Sequence, residues 1–71
     1  MNTSDKIAIL LRIQGMKQGD LMVPLGMSSK QSLSNKFAGC RWSADDLSIV
    51  AKTTGTELCF LLPNGEKVTI E

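Results

Sequence analysis

The chain has 71 residues, of which 42% are apolar, and a formal net charge of +1; that bounds it to one globular domain and excludes a disordered tail. It has no histidine and only two cysteines, Cys40 and Cys59, so the roughly four nitrogen and sulfur ligands of a zinc site cannot be assembled. The longest apolar run, Leu58 to Leu62, is far short of the roughly 20 residues that cross a bilayer.

In chain order, the first predicted helix runs from about Asp5 to Gln14. Ser4 or Thr3 supplies its cap, and Ile7, Leu10 and Leu11 recur at helical spacing. Asp5 complements the dipole of its first turn, and Gly15 stops it. A second short helix starts near Lys17 or Gln18, carries Leu21 and Leu25 on its inner face, and ends before Gly26. Pro24 removes a backbone donor and crowds the turn before it, which kinks this helix or ends it early. A third helix spans about Lys30 to Ala38, capped by Ser28 or Ser29, with Gly39 as its stop. A fourth opens on Ser43, places Asp45 and Asp46 in its first turn, turns Leu47, Val50 and Ala51 inward, and ends at Gly55.

The hydrophobic period then changes. Segments 57–62 and 67–71 flank Pro63-Asn64-Gly65-Glu66, and Asn-Gly between two such runs signals a β-hairpin. With Asn64-Gly65 at the tip, Leu61 is expected to face Val68, and Cys59 to face Ile70. The expected architecture is mainly α: four helices over residues 1–56, with a hairpin over 57–71 that packs on them or forms a dimer contact.

The third helix is the informative one. Only Leu33 and Phe37 form an apolar stripe, while Lys30, Gln31, Ser32, Ser34, Asn35 and Lys36 make up a wide polar face. Gln and Asn offer a donor and an acceptor together, which matches the paired edge of adenine. Lys donates to guanine or to a phosphate. Such a helix suits the major groove. Charge is also divided along the chain. Residues 1–41 hold six cations (Lys6, Arg12, Lys17, Lys30, Lys36, Arg41) against Asp5 and Asp20, a net +4. Residues 42–71 hold Lys52 and Lys67 against five carboxylates, a net −3. A basic half beside an acidic one implies one face that meets phosphate and one that does not.

The run from Met16 through Leu21, Leu25-Gly26 and Ser29-Lys30-Gln31-Ser32-Leu33 to Phe37, followed by Trp42-Ser43-Ala44-Asp45-Asp46-Leu47, resembles the helix-turn-helix of the lambda-repressor and Cro group, the xenobiotic-response-element type. The resemblance covers roughly residues 5–60. It implies a cytoplasmic, nucleoid-associated regulator that binds double-stranded DNA, with residues 30–38 as recognition helix and no cofactor. It further implies that Gln18, with Lys17 beside it, binds a backbone phosphate. Ser29 caps the recognition helix and can bind phosphate. Lys30 and Gln31 read base edges, and Ser32 touches a base or a phosphate. Ser34 and Asn35 reach the groove or its wall, and Lys36 and Arg41 lie near the backbone. Leu21, Leu25, Leu33, Phe37, Leu47 and Val50 form the core. Two features depart from the family pattern: Pro24 replaces a helix former, and Ser28-Ser29 lengthens the turn. Together they predict an early end to the second helix followed by a longer turn.

The remaining candidates read as structural. Cys40 beside Arg41 is an ordinary partly buried thiol, and both cysteines stay free in a reducing compartment, since no secretory signal layout is present. Trp42 packs as a staple ahead of the Ser43 cap. Asp45 and Asp46 complement a dipole, and Met16, Met22 and Met27 fill gaps. With no histidine, no base–nucleophile pair and no cofactor motif, the chain is expected not to be an enzyme. A module this small binds duplex weakly alone, so a homodimer on two half-sites is expected, through the hairpin. The alternative is a protein-interaction module, adaptor or antitoxin-like, on the same fold without DNA.

Overall fold

The computed structural model describes residues 1–70. Its elements are α1 (Thr3–Ile13), a one-turn 3-10 helix (Gln18–Leu21), α2 (Lys30–Gly39), α3 (Ala44–Thr54), β1 (Cys59–Leu61) and β2 (Lys67–Thr69). The described residues are thus mainly helical, with three α-helices and a C-terminal antiparallel ribbon.

Each α-helix starts on a side-chain cap. Asn2, rather than Thr3 or Ser4, caps α1: its side chain accepts from Asp5 N at 2.9 Å and the Asp5 carboxylate accepts from Asn2 N at 3.0 Å. Ser43 and Asp46 form the same reciprocal box on α3, both bonds at 3.0 Å. Ser29 caps α2, its hydroxyl accepting from Ser32 N at 3.1 Å. Each cap satisfies an amide that the helix itself leaves unpaired. Helix α2 runs through Gly39 and ends on Cys40, which takes the left-handed conformation at φ 51°.

The expected second α-helix is replaced. Residues 18–21 make a single 3-10 turn, and 22–26 close as one isolated turn in which Leu25 N donates to Leu21 O (3.0 Å) and Met27 N to Met22 O (2.8 Å). Pro24 has no amide to extend a ladder. Gly26, at φ +69°, supplies the left-handed residue that lets the amide of Met27 reach back over the turn. The chain then runs extended to Ser29, as an early stop and a long turn require.

The hairpin register also differs by one residue from the expected one. Cys59 pairs with Thr69, Phe60 with Val68 and Leu61 with Lys67. Pro63 is the cause. Its fixed φ suits the second position of a type I turn, closed by Gly65 N donating to Leu62 O at 3.0 Å. Gly65 at φ +92° then makes the bulge of a three-residue loop, in place of a two-residue Asn-Gly turn. A slip of one residue exchanges faces along a strand. Leu58, Phe60 and Leu62 therefore share a face with Val68 and Ile70, and Leu61 lies on the opposite face with Lys67.

Ile7, Leu11, Leu21, Leu33 and Val50 form the buried core, and Leu10, Met16, Met22, Leu25, Met27, Phe37, Trp42 and Leu47 pack around it. Every core element thus contributes to one cluster, and the methionines fill its margins. Two polar side chains are buried among them, Ser4 and Thr54. The ribbon stands apart: every residue from Phe60 to Ile70 is exposed, and the molecule is elongated, 42 × 22 × 21 Å. No helix among the described residues is long and apolar enough to cross a membrane.

Candidate nucleic-acid interface

Helix α2 is positioned by its apolar stripe. Leu33 is buried and Phe37 half-buried, which turns Lys30, Gln31, Ser32, Ser34 and Asn35 outward, all exposed. Its first turn carries no carboxylate, unlike those of α1 and α3. The amides and positive dipole end of α2 therefore face solvent without an acidic complement. Ser29 and Ser32 share a hydroxyl–hydroxyl hydrogen bond of 2.9 Å, which locks the capping rotamers.

Along the outer face, Gln31 Nε2 donates to Asn35 Oδ1 at 3.0 Å. One helical turn separates these residues, so the two amides are held side by side as a plate. The pair keeps unspent hydrogen-bonding capacity: the Gln31 carbonyl oxygen accepts, and the Asn35 amide nitrogen donates.

Two clefts flank this helix. One is lined by Gln18, Gly19, Lys30, Leu33 and Ser34; the other by Met27, Ser32, Asn35, Lys36, Gly39 and Arg41. The structure thus brings Gln18 beside Lys30 and Ser34 across the 3-10 turn, and Arg41 beside Ser32 and Asn35. Lys17 is exposed just ahead of the 3-10 helix, outside both clefts, and its backbone N–H is engaged by the Asp20 carboxylate at 2.9 Å.

Lys36 does not stand with the outward cations. Its ammonium lies 2.7 Å from Asp46, donates to Arg41 O at 2.9 Å and sits 5.3 Å from the Trp42 ring centroid. Only 16% of its side chain is accessible. The physical reason is the opening turn of α3, where Asp46 already closes the capping box and offers a carboxylate to a cation arriving from α2. Lys36 thus fastens α2 to the body. Partial burial pushes the Asp46 carboxyl up, but hydrogen bonds from Lys36 and from the Ser43 amide and hydroxyl, together with the Lys36 charge, hold it below the usual 3.8.

Trp42 also plays a different part from that of a staple alone. Its ring meets Phe37 edge-on at 5.0 Å, and its Nε1 donates to Ser4 Oγ at 2.9 Å. Ser4 Oγ in turn donates to Phe37 O at 2.7 Å. The start of α1, the end of α2 and the entry to α3 meet at this hydroxyl. The sequence offers no local signal for it, because its partners are more than thirty positions away. Cys40 and Cys59 are free and half-buried.

No family model, curated protein or solved structure matches the chain.

Proposed function

We propose that this chain is a small transcriptional regulator of the lambda-repressor and Cro type that binds double-stranded DNA sequence-specifically with α2 in the major groove. In this reading the 3-10 helix and the turn to Gly26 stand in the place of the second of four helices. The observation that carries it is the outward row Lys30, Gln31, Ser34 and Asn35, set over a buried Leu33 and flanked by Gln18 on one side and Arg41 on the other.

Gln31 and Asn35 read base edges. Gln18, Ser29 and the open amides of α2 take phosphate, with Lys30 and Arg41 beside them. Phosphate contacts set register and base contacts set specificity. Lys36 is left out of the contact set, because its charge is already shared with Asp46. Nothing in this reading calls for a catalytic group or cofactor, and its compartment is the cytoplasm, on the nucleoid.

Selection of bound duplexes from a random pool, followed by gel shift on the winners, tests it. Wild type should enrich a defined site and bind it with an affinity that falls steeply with salt, because counterions are released from the phosphates. Binding that is equal on all duplexes, or absent at low salt, overturns it. A second reading, a protein-interaction module without DNA, is favoured by the exposed ribbon; low-salt titration with nonspecific duplex separates the two.

A further inference from the structure

The Asn-Gly pair at the ribbon tip does not form the two-residue turn that such a pair favours. Pro63 sets the turn, Asn64 takes its third position, and Gly65 N donates to Leu62 O at 3.0 Å. That leaves a different chemistry open to the pair. An asparagine carboxamide is electrophilic at Cγ, and the nearest nucleophile along the chain is the amide nitrogen of the following residue. A glycine in that place has no side chain to block the approach. The chain has three asparagines, Asn2, Asn35 and Asn64. Asn2 and Asn35 are followed by Thr3 and Lys36, and Asn35 lies inside α2, where the next amide is held in the helical ladder. Only Asn64 precedes glycine.

The turn arms one side of this reaction and restrains the other. Glu66 N donates to Asn64 Oδ1 at 3.0 Å. This amide polarises the Cγ carbonyl and faces the oxygen on which charge develops when Cγ is attacked. Gly65 N, by contrast, is engaged with Leu62 O. A type I turn also holds ψ of its third residue at roughly 0°, which keeps that nitrogen turned away from Cγ. Asn64, Gly65 and Glu66 are all exposed, and nothing lies within 4 Å of the place a Gly65 β-carbon would take, so water and base reach the site. The restraint is weak, because an isolated two-stranded hairpin is marginal in water.

We infer that Asn64 is a site of spontaneous deamidation gated by the ribbon turn. When the Gly65–Leu62 hydrogen bond opens, Gly65 N gives its proton to solvent base and bonds to Asn64 Cγ. The Cγ–Nδ2 bond then breaks, and Nδ2 leaves as ammonia with a proton from water. Water opens the resulting five-membered imide at either carbonyl, leaving aspartate or isoaspartate. Nothing is oxidised or reduced, and the net exchange is water for ammonia. Either product adds a negative charge beside Glu66 and cancels the formal net charge of +1. In isoaspartate the main chain runs through Cβ and Cγ, one carbon longer, so Gly65 N no longer closes on Leu62 O and the strands part. The modification uncouples the ribbon and spares the helical body. It does not rest on the DNA reading.

Incubation of the full chain at neutral and mildly alkaline pH, followed by peptide mapping with mass spectrometry and isoaspartate detection, tests it. Asn64 should convert while Asn2 and Asn35 do not, and faster at the higher pH, because the attacking nitrogen must lose its proton. Conversion should run about tenfold slower in the folded chain than in the same chain held in guanidinium chloride, as expected of a locally opening element. Pro63→Ala, which loosens the turn and keeps the Asn-Gly pair, should close most of that gap. Gly65→Ala should suppress conversion several-fold in the denaturant too, where only the steric block counts. Equal rates in the folded and unfolded chain overturn the gate. No conversion at Asn64, or conversion spread evenly over the three asparagines, overturns the site.

Discussion

Lys36 and Asp46 show how one side-chain pair fixes the aim of a helix. Asp46 bonds the Ser43 amide and the Lys36 ammonium together, so it serves both as cap partner and as tether. Asp46→Ala should cost about 1 kcal/mol, in the range for a lost cap, and lower Tm by about 4–8 °C for a domain of this size; thermal unfolding followed by circular dichroism measures it. The carboxyl is held below its usual 3.8, so its stabilisation is complete above that value and is lost as pH falls through the lower, folded-state value. Tm should therefore drop on acidification below about pH 4, and the drop should be smaller in Asp46→Ala. Cys40 is a second case. It is the one described non-glycine residue with positive φ, a conformation that costs a side-chain-bearing residue about 1–2 kcal/mol. Cys40→Gly should raise Tm by a few degrees, whereas Cys40→Ala, which keeps the β-carbon, should not; the same melts compare them.

Among the elements, α2 and the ribbon carry the sharpest expectations. Removing one side of the amide plate with Gln31→Ala should cost about 1–3 kcal/mol of discrimination at one base pair while leaving the salt slope of binding unchanged; competition gel shifts with single-base variants report it. In the ribbon, Gly65→Ala places a β-carbon at φ +92° and should destabilise the turn by more than the roughly 1 kcal/mol that a tolerated Gly→Ala change gains. Faster hydrogen exchange at the Leu62 and Ile70 amides, which bond Glu66 O and Leu58 O, would register it. These same elements show what the sequence makes legible. The helix boundaries could be read because caps and stops are local: Ser29, Ser43 and Gly55 act within a turn of themselves. The polar row of α2 could be read for the same reason, since Leu33 and Phe37 fix which side faces inward. The 3-10 turn could not, because Leu21 and Leu25 keep helical spacing whether or not the ladder between them survives Pro24. The ribbon register was lost to Pro63, whose preference for a type I turn outweighs that of the Asn-Gly beside it. The Lys36 tether was hidden because its partner belongs to another helix.

At the scale of the whole molecule, a 71-residue chain buries only about 60% of its unfolded surface and has little stability to spare. The helical body and the ribbon also differ in how firmly they are held, for the body has a shared core and the ribbon has only its own strands. Local opening should therefore begin at the ribbon.

The indole at position 42 bears on how such opening can be watched. It is the sole tryptophan, and the chain has no tyrosine, so ultraviolet emission comes from one place: the junction where Ser4, Phe37 and Trp42 lock three helices together. Fluorescence consequently gauges the integrity of that lock alone and is blind to fraying of the distant ribbon. A denaturation curve that looks single-stepped by emission can therefore conceal an earlier event, which backbone-sensitive probes of the strands would bring into view.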